Sequence, residues 1–310
     1  MNVLITGSSG QIGTNVALKL MDRGDAVLGI DKRENTWTDR IETRIRDLTD
    51  VPPGDLDLNL KPDVVLHFAA NAKVFELVEY PERAMDNVKM LFNVLDYCRR
   101  SSVPIFFSSS REVYGDIHRH VTDESSADFV VAESPYSASK IAGEAMIYSY
   151  FRCYGLPHLV VRFSNVYGRY DNDIERMERV IPLFVDRISR NIPIVVFGKE
   201  KVLDFTYVDD AVRGVIAGID SLVSESIRSE TINLASGQGR TLQDVVNLIS
   251  LGLGVEPRVT YERARAGEVT HYVADLTKAR ELLGYEPDTP LTSGLPLAIK
   301  WQRESGSVAG

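Results

Sequence analysis

Asn2-Val3-Leu4-Ile5-Thr6-Gly7-Ser8-Ser9-Gly10-Gln11-Ile12-Gly13 decides how the chain is read. An apolar run of strand character meets glycines at 7, 10 and 13, and Ile12–Arg23 then carries apolar residues at helical intervals. Glycines at such a junction serve the tight turn, the close approach of backbone to a pyrophosphate, and the packing of helix on strand. The helix amino terminus offers unpaired N–H groups and the positive end of its dipole to that anion. Gly7, Gly10, Gln11, Ile12 and Gly13 are therefore the candidate phosphate cradle. An isolated turn of this kind is as readily one of no special use, so the surroundings carry the weight.

Short apolar runs suited to strands buried on both faces follow: Val3–Thr6, Ala26–Asp31, Asp63–Ala69, Pro104–Ser108 and His158–Arg162. Between them Glu82–Arg100 and Tyr136–Tyr154 join Ile12–Arg23 in reading as helices. This alternation predicts an α/β fold, a doubly wound parallel sheet with helices on both faces. Ligands of such sheets bind outside the carboxyl ends of the strands, where every chemistry-bearing segment of this chain falls. Past Gly168 the alternation weakens. Asp171–Arg179 reads as a charged loop, Val180–Arg190 as a helix and Pro193–Phe197 as a strand. Phe205–Val208 leads into a helix at Asp209, and Thr231–Leu234 reads as a further sheet strand. The remainder, broken by Pro257, Gly267 and Pro287, suits a small irregular lobe ending in a frayed tail, Ser305–Gly310. The expected division is 1–167 plus 205–235 for the nucleotide, and 168–204 plus 236–310 for the substrate.

Composition narrows the class. The 310 residues are 44% hydrophobic and 25% charged, as in soluble globular proteins, with length enough for one large domain and a smaller lobe. A net charge of −9 argues against binding nucleic acid, which calls for a basic patch. No apolar run reaches the roughly 18 residues of a membrane span. Because the chain opens directly on a strand, no signal peptide is expected, and the cytoplasm is the default compartment. Cys98 and Cys153 read as free thiols, and the scattered histidines suggest no metal.

Asp31, ending the second run, sits where a carboxylate accepts both hydroxyls of an adenosine ribose and repels a 2′-phosphate, which favours NAD over NADP. Lys32 and Arg33 beside it are either a receptor for that phosphate or surface charge. Asp47-Leu48 lies within reach of the adenine, or else Asp47 only forms a turn. Further on, Ser108-Ser109-Ser110-Arg111-Glu112-Val113-Tyr114-Gly115 is followed by Ser134-Pro135-Tyr136-Ser137-Ala138-Ser139-Lys140. At about 1.5 Å per residue, Tyr136 and Lys140 stand one helical turn apart on one face. An ammonium beside a phenol favours the phenolate, so Lys140 is expected to lower the tyrosine pKa and make a base near neutrality.

Together these residues resemble the extended short-chain dehydrogenases/reductases, specifically the NAD-dependent sugar-nucleotide epimerase/dehydratase family. The likeness extends through His67-Phe68-Ala69-Ala70, Asn87, Arg162-Phe163-Ser164-Asn165-Val166-Tyr167-Gly168, Asp204–Asp210, Asn233–Gly237 and Arg265–Val269. It implies a Rossmann-type sheet with a smaller substrate lobe and a tightly held NAD. Phe68, Ala69, Ala70, Asn87, Ser108 and Phe163 join the cofactor-binding set by that resemblance. It also implies that Tyr136 removes a proton from a sugar hydroxyl, that Ser110 hydrogen-bonds the reacting oxygen, and that Lys140 binds the nicotinamide ribose. Asn165 then positions a substrate diphosphate and Arg265 neutralises it. Helices 82–100 and 136–154, with stripes at Met85, Val88, Leu91, Phe92 and Leu95 and at Ala142, Ala145, Met146 and Ser149, would meet their copies in a homodimer.

Within the family, a 4-epimerase of the UDP-glucose/UDP-galactose type, working through a transient 4-keto sugar, needs little beyond Ser110, Tyr136 and Lys140. The 4,6-dehydratases add an aspartic acid before the glutamate, and that place is taken here by Arg111, which donates no proton near neutrality. The UDP-glucuronate decarboxylases share Glu112, which keeps that residue among the catalytic candidates. Arg111 either pairs with a sugar carboxylate or turns away onto a structural carboxylate such as Glu112; on an extended segment the two would face opposite ways. The family's phosphate-binding arginine is replaced by Leu203, for which Lys201 or a base from the Val180–Arg190 helix would compensate. A UDP-hexose is the expected ligand. The alternative of another class is a non-catalytic NAD-binding sensor.

Overall fold

In Val3-Leu4-Ile5 all three side chains are buried, yet successive ones enter different cores. Val3 and Ile5 join Val64, Leu66, Phe106, Leu159 and Val161 on one face; Leu4 joins Val65, Ile105, Phe107 and Val160 on the other. The pleat alternates side chains across the sheet, so a continuously apolar strand requires cover on both sides. The computed structural model describes residues 1–58, 61–115, 123–124, 132–171 and 177–305.

The elements of the main unit are β1 Asn2–Thr6, α1 Gln11–Arg23, β2 Ala26–Asp31, β3 Thr43–Ile45 and β4 Val64–His67. They continue with α2 Val74–Glu79, α3 Glu82–Ser101, β5 Ile105–Ser110, α4 Pro135–Tyr154 and β6 His158–Phe163. Next come β7 Asn165–Tyr167, α5 Val180–Ser189, β8 Ile194–Phe197, β9 Val202–Tyr207, α6 Val208–Val223 and β10 Ser229–Leu234. A seven-stranded sheet runs in the order β10-β6-β5-β4-β1-β2-β3, every pairing parallel. Helices α1 and α6 pack together, and α3 against α4. The strand order reverses at β1, which pairs with both β2 and β4; the crevice beyond that point is where such sheets bind ligands.

The doubly wound Rossmann-type architecture is as the alternation predicts, with differences at the ends. β5 continues to Ser110 because Ser109 and Ser110 still pair with Arg162 and Phe163 of β6. β4 stops at His67, where the chain turns to pass Gly7. Phe205–Val208 is not the approach to a helix alone: Val202–Tyr207 is the central strand of a separate three-stranded sheet, between β7 and the segment Gly239–Thr241. The short, charged edge strand β3 carries no apolar signal in the sequence.

The carboxyl-terminal region is more regular than expected. It contains β11 Gly239–Thr241, α7 Leu242–Leu253, β12 Val259–Glu262, α8 Thr277–Leu283 and α9 Leu291–Glu304. Thr241 and Asp244 form a capping box that starts α7, a Thr-x-x-Asp pattern legible beforehand. β12 pairs parallel with β8, and α7 packs on α5 and α9. The expected loop Asp171–Arg179 lies partly, and the tail beyond Ser305 wholly, outside the described residues. The stripe on α3 divides: Leu91 and Leu95 are buried against the sheet, whereas Met85 and Phe92 are exposed, as is Tyr148 on α4.

Candidate active site

At the end of β1 the chain enters the glycine turn with Gly7 at φ 75°. A Cβ on Gly7 would stand 2.7 Å from the Ala69 nitrogen, and one on Gly13 only 2.2 Å from the Gly7 oxygen. Gly10 caps α1 with no side-chain hydrogen bond, and the first turn holds no acidic residue. An uncapped helix start with that much bare backbone suits a pyrophosphate, so the residues present fit a dinucleotide. A Gly13→Ala chain should lose its retained dinucleotide, read by absorbance and mass of the released nucleotide, since the new methyl displaces the turn from the helix.

Asp31 is buried at the end of β2. Its Oδ2 accepts the Ser9 amide at 3.0 Å and Oδ1 the Arg33 amide at 3.1 Å. Each oxygen keeps a second lone pair for a ribose hydroxyl. Lys32 is exposed. Asn35, which sequence reasoning missed, ties the loop after β2 to the turn through Ser8 O at 3.2 Å and Thr14 Oγ1 at 2.9 Å; asparagine in a loop gives no signal of its own. Asp47 accepts the amide and hydroxyl of Thr49 at 2.9 and 2.8 Å, which holds its carboxyl below the usual range. It is a turn-former here. Leu48 is buried, and its carbonyl accepts Asn93 Nδ2 at 2.7 Å. Asn87 joins the Asn71 backbone to Ser139, at 2.7, 3.0 and 3.2 Å. Phe68 stands edge-on to Phe106 and Phe163, and the Phe68 and Ala69 backbone passes beside Gly7.

Ser134 starts α4 with a capping box to Ser137, and Pro135 fixes the first turn, which sets Tyr136 at its mouth. The Ser110 side chain acts on the Tyr136 phenol and eases its ionisation. Lys140 lies one turn on, its Nζ donating to Ser108 O at 2.7 Å, 5.0 Å from the Phe107 ring centre and 5.9 Å from that of Tyr136. The expected lowering of the tyrosine pKa by Lys140 is not found. Burial dominates and pushes the phenol up to about 12; Ser110, Arg179 and Arg111 oppose it, and Glu112 adds to it. Burial likewise brings Lys140 down to about 8, against the pull of Glu144. His67 behind them is neutral, taken to about 3 by burial and then by Lys140, with Nδ1 2.8 Å from Thr6 Oγ1.

Ser109 turns the other way. Its hydroxyl donates to Glu144 Oε1 at 2.5 Å, and Arg162 grips the same carboxylate through Nε at 2.9 Å and Nη2 at 2.6 Å. This buried triad braces β5, α4 and β6 directly behind Ser110 and Lys140. Glu144 was missed because a glutamate four residues after a lysine reads as a surface pair.

Arg111–Tyr114 is a 3₁₀ turn, not an extended segment, so the premise that Arg111 and Glu112 face opposite ways does not hold. Ser110 Oγ accepts the Glu112 amide at 3.2 Å and starts that turn. Arg111 Nη2 meets Glu112 Oε1 at 2.9 Å and Asn165 Oδ1 at 3.4 Å. Burial raises the Glu112 pKa, opposed by Arg111 and Lys201. Asn165 Nδ2 donates to Asp204 O at 3.0 Å. Lys201 pairs with Glu268, and Arg265 lies over the rings of Phe197 and Phe75 at 4.0 and 4.9 Å.

Leu203 is buried in the core; its cross-strand partner on β11 is Arg240, whose Nε is buried without a hydrogen-bond partner among the described residues. Next to it Asp204, wholly buried, accepts Ser236 N at 2.8 Å, Ser236 Oγ at 2.7 Å, Gly237 N at 2.9 Å and Ala274 N at 3.4 Å.

Residues 3–235, which hold the glycine turn, Asp31 and the Ser110–Tyr136–Lys140 group, match the NAD dependent epimerase/dehydratase family. The chain belongs to that family. Its members' cofactor, NAD, is the cofactor of this chain. UDP-glucuronate 4-epimerase 1 of Arabidopsis thaliana is 30% identical, over 97% of this chain and 76% of that one. The UDP-glucose 4-epimerase of Thermotoga maritima, solved with UDP-glucose, is 29% identical with a TM-score of 0.90 and covers 98% of this chain and 99% of its own. That of Thermus thermophilus, solved with NAD, is 26% identical with a TM-score of 0.87 over 98% and 99%. No helix among the described residues is long and apolar enough to cross a membrane.

Proposed function

We propose that the chain is a nucleotide-sugar 4-epimerase with UDP-glucose and UDP-galactose as its substrates. The Arg111–Glu112 ion pair at the end of β5 carries the choice. A 4,6-elimination needs an acid to protonate the departing hydroxyl, but residue 111 is a guanidinium and the carboxyl beside it is engaged in binding that guanidinium. Oxidation and return at C4 need neither.

The glycine turn and Asp31 would hold the adenosine diphosphate half of NAD, and Lys140 the nicotinamide ribose; bound NAD supplies the reversible two-electron acceptor. Ser110 Oγ and Tyr136 Oη hold the C4 hydroxyl between them, and Tyr136 Oη takes its proton and later gives one back. Burial keeps the phenol protonated in the free protein, while Arg179 and Arg111 reduce the work of ionising it. Lys140 keeps two N–H donors for ribose oxygens after its bond to Ser108 O. Asn165 braces Arg111, and Arg265 with Arg240 faces the diphosphate, which leaves Lys201 to Glu268.

In this reading 1–167 with 205–235 binds the dinucleotide and 168–204 with 236–310 the sugar nucleotide. Exposed Met85, Phe92 and Tyr148 support a homodimer through α3 and α4, in a cytoplasmic enzyme. Incubation with UDP-glucose should yield UDP-galactose. A 4-keto-6-deoxy sugar from dTDP-glucose, or a pentose from UDP-glucuronate, would overturn the assignment. Arg240→Met should raise KM about tenfold with kcat little changed, as loss of one charge-assisted contact implies.

A further inference from the structure

Two atoms of the Arg111–Glu112 pair are left over. Nη2 meets Oε1 at 2.9 Å, whereas Arg111 Nη1 and Glu112 Oε2 are buried with no hydrogen-bond partner among the described residues. Buried polar atoms are nearly always satisfied, so a donor and an acceptor orphaned within one ion pair call for an explanation. They stand at a 3₁₀ turn that Ser110 itself initiates, its hydroxyl accepting the Glu112 amide, so the pair adjoins the residue assigned to the reacting hydroxyl.

We infer that the Arg111–Glu112 pair reads the substituent next to the reacting carbon and selects a neutral hydroxymethyl against a carboxylate, making the chain specific for hexoses over hexuronates. The inference rests on the 4-epimerase reading and narrows its substrate. One hydroxyl satisfies both orphans, accepting from Nη1 and donating to Oε2. A carboxylate has no hydrogen for Oε2 and sets a second negative charge against it, while the guanidinium that would attract it is already neutralised. The adjoining charges are closed in the same way: Lys201 is held by Glu268, and Arg179 by Asp171 and Gln11.

The test is calorimetric binding of UDP-glucose and of UDP-glucuronate to the NAD-loaded protein, with turnover of each followed in parallel. UDP-glucose should bind at least about tenfold more tightly. Glu112→Gln frees the guanidinium and should move the ratio towards UDP-glucuronate by at least about tenfold. The double variant Arg111→Gln/Glu112→Gln, which removes both charges, should lose most of the hexose preference and guards against misfolding of the single variant; a folded double variant that discriminates as the unaltered chain does would overturn the inference. Equal or tighter binding of UDP-glucuronate by the unaltered chain, or the same ratio in folded Glu112→Gln, would overturn the inference. Absence of turnover overturns the epimerase reading instead, because the binding ratio is read without catalysis.

Discussion

Tyr136→Phe lowers kcat on nucleotide sugars by about 10²–10⁴-fold, the usual worth of a positioned acid–base group. The substitution removes one oxygen and leaves the ring in place. Even a full hydrogen bond lost at that oxygen would cost only about 0.5–1.5 kcal/mol of stability, so the variant should fold. The glycine turn, Asp31 and Lys140 are untouched, so NAD retention should match the parent chain. Turnover and retained NAD measured on one preparation separate chemistry from binding. A kcat within threefold of the parent would remove Tyr136 from the mechanism.

The largest expected loss of stability follows from Glu144→Gln. Glu144 and Arg162 are almost wholly buried, and breaking such a pair from one side leaves a charge uncompensated, at about 3–5 kcal/mol. The melting temperature should fall by on the order of 10 °C. Arg162→Met with Glu144→Leu, which removes both charges, should recover part of that loss.

The same substitution has a pH signature. Glu144 is the group that raises the Lys140 pKa against burial, and Lys140 sits at about 8 with it in place. Without it that value drops further, so Lys140 is neutral over more of the range above neutrality. If the ammonium is the working form, the alkaline limb of the pH–activity profile moves to lower pH. Calorimetry and a pH–rate profile check the two effects; an unchanged melting temperature would show that the triad is not structural.

What the sequence reveals depends on how local the cause is. The βα turn, the parallel sheet and the one-turn spacing of Tyr136 and Lys140 follow from neighbours along the chain. The 3₁₀ turn at Arg111–Tyr114 is local as well, set by Ser110 accepting the amide two residues on, but a serine gives that signal only once the end of its strand is known; the side chains of Arg111 and Glu112 meet instead of diverging. The tyrosine pKa is not legible in spacing either. Spacing shows that Lys140 is near, but not that its ammonium is fastened to Ser108 or that burial outweighs it. The carboxyl-terminal lobe reads as irregular because its strands β11 and β12 are very short and pair with partners far along the chain.

Asp204 clamps β9 to the 236–237 loop and to Ala274 through backbone amides, independently of which side chains flank it. The path of the strand is thereby separated from the chemistry it displays. Arg240 can therefore be exchanged while β9 keeps its register, because the anchor of that register lies on the neighbouring residue and holds backbone amides.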